Sequence, residues 1–140
     1  QELVDSKNRE LAISTMSIIK KNEFLNAIKE KLKDLKDDAQ VRSVIKTIDR
    51  NINNDDDWTF FENAFNNADK DFLKKVKEKH PELSSNDLRL CAYLRLNLSS
   101  KEIAPLLNIS VRSVEVKRYR LRKKMNLSHD DGLTDYIINI

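Results

Sequence analysis

The chain is 140 residues long, 39% hydrophobic and 35% charged, with a net charge of +3. A single Gly and two Pro all but exclude Gly-rich phosphate loops and tight hairpins, and the single Cys excludes an intrachain disulfide. No apolar run approaches the length of a membrane span, and no signal-peptide pattern opens the chain.

So few breakers predict long helices in an all-α protein of one domain or two small ones. Residues 1–37 hold no Gly or Pro and read as one long helix. Val4, Leu11, Ile18, Leu25 and Leu32 recur every seven residues along it. Three residues further on stand Lys7, Ser14, Lys21, Ile28 and Leu35, so the apolar seam is full only in the second half. Such a seam packs either on its own domain or against a second chain. The second case makes Val4, Leu11, Ile18, Leu25, Ile28 and Leu32 the contacts of a homodimer.

Residues 38–53 give a second amphipathic helix, with Val41, Val44, Ile45, Ile48 and Ile52 on one stripe. "NINNDDD" breaks it, and its Asp residues suit the start of the next helix. Helices follow at 57–67 and 69–79, the second ended by His80-Pro81. Their stripe of Trp58, Phe61, Phe65, Phe72 and Val76 reads as core. Three short units come next, opened by Ser84 with Asp87, Ser99 with Glu102, and Ser110. Asn97 and Asn108 fall where the chain needs a left-handed residue. A last helix at 131–139 carries Leu133, Tyr136, Ile137 and Ile140.

Charge is concentrated in the third of these units. Residues 1–80 hold sixteen basic and sixteen acidic side chains, whereas Arg112 to Lys124 holds seven basic residues and only Glu115 as an acid. On a wheel of about 100° per residue, Val111, Val114, Leu121 and Met125 share an apolar back. Arg112, Val116, Tyr119 and Lys123 fall on the opposite face, flanked by Glu115, Arg120 and Arg122. Arg118 falls beside the apolar stripe, so its guanidinium is expected to be led outwards along its own stem. A basic front with apolar tips fits the major groove of double-stranded DNA, where cations meet phosphates and a Val can touch a thymine methyl.

The stretch "LSSNDLRLCAYLRLNLSSKEIAPLLNISVRSVEVKRYRLRKKMNL" resembles the LuxR/GerE-type helix-turn-helix family. The resemblance runs from Leu83 to Ile140. It implies a four-helix DNA-binding domain over residues 81–140, preceded by a helical linker and dimerisation region over 1–80. It also implies that Lys101 to Leu107 form the positioning helix, with Ile103, Ala104 and Leu107 packed on the recognition helix at 111–125. Glu115, Val116 and Tyr119 take the base-facing positions, with Arg112 beside them in reach of a guanine or a phosphate. Ser99, Lys101, Ser110, Ser113, Lys117, Arg120, Lys123 and Lys124 serve phosphate contact and docking. Glu115 and Lys117 replace the family's common Lys and His, so the target sequence does not follow from the resemblance.

The stretch from "DWTFF" onwards also resembles the cytoplasmic part of bacterial membrane-anchored regulators with a propeller and triple-tyrosine sensor. The start at Gln1 rather than Met fits such a piece of a longer protein, and lone Cys91 fits a reducing cytoplasm. No catalytic site, metal site, cofactor site or small-molecule site is expected, because His80, His129 and Cys91 lack any ligand or triad spacing. The competing reading is a helical module whose basic helix binds an acidic partner of the transcription machinery, RNA polymerase included.

Overall fold

A computed structural model describes the backbone of residues 2–35, 39–52, 55–128 and 132–140, with side chains from Leu11 onward, Asp55 and Asp56 excepted. The described residues form eight helices and no strand: α1 Glu2–Lys33, α2 Ala39–Ile52, α3 Asp55–Ala68, α4 Phe72–Lys79, α5 Ser85–Arg95, α6 Ser100–Leu107, α7 Val111–Lys124 and α8 Leu133–Ile138. The expected all-α fold is therefore the observed one.

The long α1 is the frame on which the first half folds. The α2 helix turns back along it, tied by Lys29 to Asp49 at 2.6 Å. The α3 helix lies along the same side, with Lys21 and Asp57 2.6 Å apart. Its aromatic stripe is buried as expected: Phe61, Phe65, Phe72 and Val76 are core residues, and Trp58 packs against them. Tilted and edge-on ring contacts bind the stripe to α5, with the Phe61 and Tyr93 centroids 4.9 Å apart. Truncating a ring as enclosed as Phe65 costs about 3–5 kcal/mol.

One apolar cluster runs across Pro81, from Leu11 and the α3–α4 aromatics through Leu90, Tyr93 and Leu94 to Ile103, Val114, Leu121 and Ile137. Arg95 ties the two ends of this core. It pairs with Asp69 at 2.8 Å, lies over the Phe72 ring, and donates to the carbonyls of Ile137 and Ile138 at the end of α8.

The heptad seam faces inwards at Leu11 and drifts around α1 until Ile28 lies towards the outer face. Leu11 is buried in the chain's own core, and Ile18, Leu25, Ile28 and Leu32 are half-buried. The side chain of Val4 lies outside the described ones. Within the chain α2, α3 and α6 all pack on α1, which encloses Leu11 and leaves the rest of the stripe partly open. The α2 stripe is shorter than expected. Ile48 and Ile52 are buried but Val44 is exposed, since only the last turns of α2 are covered.

Candidate nucleic-acid interface

The basic helix is positioned by three local devices. At α5, the Ser84 hydroxyl accepts from the Asp87 amide at 3.1 Å, while the Asp87 carboxylate accepts from the Ser84 amide at 3.0 Å. At α6, Ser99 and Glu102 form the same reciprocal cap. At α7, the Ser110 hydroxyl accepts from the Ser113 amide at 3.1 Å and lies 3.0 Å from the Ser113 hydroxyl. Each cap satisfies amides that the first helical turn leaves without a partner.

The turn between α6 and α7 is equally local. Asn108 is left-handed, with φ 53°, and Asn97 is left-handed after α5, with φ 61°, as their sequence positions imply. Asn126 and Asp71 adopt the same region. The Ala104 carbonyl accepts from the amides of both Asn108 and Ile109, which closes α6.

This leaves the neighbouring carbonyl of Pro105 without a helical partner, and α1 supplies one. The Asn22 side-chain amide donates to the Pro105 carbonyl at 2.7 Å. Asn22 is 1% exposed, and its Oδ1 has no hydrogen-bond partner. Asn22 also lines a cavity of about 210 Å³, with residues that include Trp58, Arg89, Tyr93 and Leu107. The sequence reading passed over Asn22. The available signal was its place between Ile18 and Leu25, where a polar residue on an inward stripe announces a buried hydrogen bond.

Val114, Leu121 and Met125 are buried, as the wheel requires, and α7 packs through them on α6 and the core. Ile103 and Ala104 are buried on the facing side of α6, with Leu107 packed at its end. Val111 departs from expectation. It is exposed, because the first residue of α7 projects past the edge of the core.

The front of α7 is open. Arg112, Glu115, Val116, Lys117, Tyr119, Arg120, Lys123 and Lys124 are all exposed, as are Ser99, Lys101, Ser110 and Ser113. The Lys123 ammonium lies 4.8 Å from the centroid of the Tyr119 ring, a cation–π contact that holds both side chains on one patch. The amino-terminal ends of α6 and α7 carry Ser99, Lys101, Ser110 and Arg112, and free helical amides there suit phosphate oxygens.

Two cations of α7 have other work. Arg118 does not lead outwards. Its guanidinium lies 3.1 Å from the Thr134 hydroxyl and 3.5 Å from that of Ser100, so it bridges α7 to α8 and α6. Lys124 meets the Asp87 carboxylate at 2.7 Å, joining the end of α7 to the start of α5. Burial alone raises the pKa of Asp87, but hydrogen bonds from Lys124 and Ser84 outweigh it and hold the carboxyl below its ordinary value.

The geometry defines the class. Residues of α6, the Asn108 turn and α7 make a helix-turn-helix, with α5 and α8 packed around it and a basic outer face on the second helix. Residues 82–137 match the family model of bacterial regulatory proteins of the LuxR family, GerE. The match covers less than half of the chain and speaks for those residues. No curated protein and no solved structure matches the chain. Among the described residues, no helix is long and apolar enough to cross a membrane.

Proposed function

We propose that this chain is a sequence-specific DNA-binding transcription regulator that acts as a dimer, with α7 lying in the major groove. The family match over residues 82–137 supports DNA-binding transcription regulation. The observation that carries the finer reading is the two-sidedness of α7. Val114 and Leu121 are fully buried behind, while Val116 and Tyr119 stand exposed in front among Arg112, Lys117, Arg120 and Lys123. Apolar groups left in water on a basic face cost stability, and a thymine methyl or a base edge gives them a use.

In this reading Glu115, Val116, Tyr119 and Arg112 face the bases. Ser99, Lys101, Ser110, Ser113, Lys117, Arg120 and Lys123 meet phosphates or dock the helix. Lys124 joins them only by giving up Asp87. Two copies related by a two-fold axis read two half-sites about one helical turn apart, or a multiple of it. The chain is then the output part of a longer sensor protein, and residues 1–80 relate the two copies.

Selection from a randomised duplex pool at about 50 mM salt tests this, since phosphate contacts are strongest there. One enriched sequence with two-fold symmetry is the expected result. No retained duplex would overturn the reading and leave an acidic protein partner as the occupant of the basic face.

A further inference from the structure

The outer face of α1 carries a second apolar line. Ile13, Phe24 and Leu35 are 71%, 66% and 59% exposed. They stand eleven residues apart. Three turns of an α-helix hold about eleven residues, so Phe24 lies almost directly above Ile13 on α1, and Leu35 follows two residues past the end of that helix at Lys33. Ala27, also exposed, and Ile28, half-buried, flank Phe24 on the same face. The buried residues Leu11, Thr15 and Asn22 lie on the opposite side of the helix. Scattered surface apolar residues need no explanation, but two large ones aligned on one helix, with a third just past its end, mark a contact.

From this line we infer that α1 pairs with α1 of a second copy of this chain, antiparallel and centred on Phe24. The inference rests on the dimeric reading above and names the surface that makes the dimer. Charge decides both occupant and direction. Lys20 and Lys31 lie on the same line as the three apolar residues. A parallel pair in register sets Lys20 against Lys20 and Lys31 against Lys31, which repel. An antiparallel pair about Phe24 sets Lys20 against Ile28 and Lys31 against Ser17, and brings Ile13 to the end of the partner helix, where Leu35 follows. It also brings Lys20 of each copy towards the acidic flank of Glu23 and Glu30 on the other, where Glu30 already meets Lys33 of its own chain at 3.4 Å. The same sequence thus complements itself in one direction and opposes itself in the other.

Sedimentation equilibrium of the 140-residue chain tests the surface. The parent chain is expected at twice its 16.4 kDa. Phe24→Glu is expected at a single mass with an unchanged helical circular dichroism spectrum, because Phe24 takes no part in the core. Single cysteines then test direction. Cys91 does not interfere, since burial pushes its thiol up to about 12 and encloses it. A mixture of Ile13→Cys and Leu35→Cys chains, treated with diamide, is expected to give a crossed disulfide, and Ile13→Cys alone none. If Phe24→Glu sediments like the parent at twice the chain mass, this surface is wrong while the dimeric reading stands. If the parent chain is single even on a duplex with two half-sites, both fall. Cross-linking of Ile13→Cys with itself would overturn the antiparallel arrangement.

Discussion

The side-chain amide of Asn22, midway along α1, donates to the carbonyl of Pro105, near the end of α6. It caps the helix that precedes the turn into α7, so the first helix in the chain completes the hydrogen bonding of the sixth. The backbone amides of Asn108 and Ile109 both turn to Ala104, so neither serves the Pro105 carbonyl.

Removing that donor should be costly. Asn22→Leu keeps a side chain of similar size and leaves the carbonyl unpaired, for an expected loss of about 1–3 kcal/mol in urea unfolding. Asn22→Asp adds a pH signature. Burial raises the pKa of the introduced carboxyl, and its neutral form can donate to Pro105. Stability should therefore be greatest at acid pH and fall as pH rises through the raised value, a limb that Asn22→Leu lacks. Superimposable pH profiles of the two variants would refute the contact.

The cations and the apolar tips of α7 should separate in DNA binding. Lys123→Ala should weaken all duplexes alike and lower the salt slope by about 0.9. Val116→Ala should leave the slope unchanged and relax the preference at one base pair by about 1–3 kcal/mol. Titrations of the enriched and scrambled duplexes at several salt concentrations distinguish the two. A common response from both variants would sink the division of roles.

Arg118 should behave as a structural residue despite its charge. Arg118→Met keeps the stem and removes the bonds to Ser100 and Thr134. Thermal unfolding should drop by the equivalent of about 1–2 kcal/mol, in line with two lost hydrogen bonds. Its salt slope on DNA should match that of the parent chain. A fall in slope as large as that of Lys123→Ala would show Arg118 on a phosphate.

Asp87 links the acid stability of the fold to the interface. Its lowered pKa means that its contribution is fully present above the ordinary value of 3.8 and is lost as pH falls through the lower folded value. Asp87→Asn should flatten that part of the acid unfolding profile and free Lys124 from its 2.7 Å partner. An unaltered acid limb would show that the pair contributes nothing.

What the sequence made legible was mostly local. Ser84 with Asp87, Ser99 with Glu102, and Ser110 signal their caps within three residues. The left-handed Asn97 and Asn108 are likewise set by their neighbours. The wheel of α7 resolved Val114, Leu121 and Met125 from Val116 and Tyr119, because a single buried face fixes the phase of a helix. Long-range choices were hidden. Leu11 and Ile18 repeat in the same way whether their partner is another chain or the α3 helix of their own. Arg118 reads as one more cation until Ser100 and Thr134, distant in sequence, meet it. Val44 and Val111 fit their stripes by angle, but the stripes outrun the core that would cover them.

The α1 helix is 32 residues long, about 48 Å of rod, and Asn22 grips α6 well inside its span. The turn from Asn108 to Ser110 is all that separates the gripped helix from the basic one. A displacement of α1 therefore passes to α6 through the contact that Asn22 anchors, and from there across one short turn to α7. A stiff shaft seated on its neighbours and a short hinge couple the two ends of the fold mechanically.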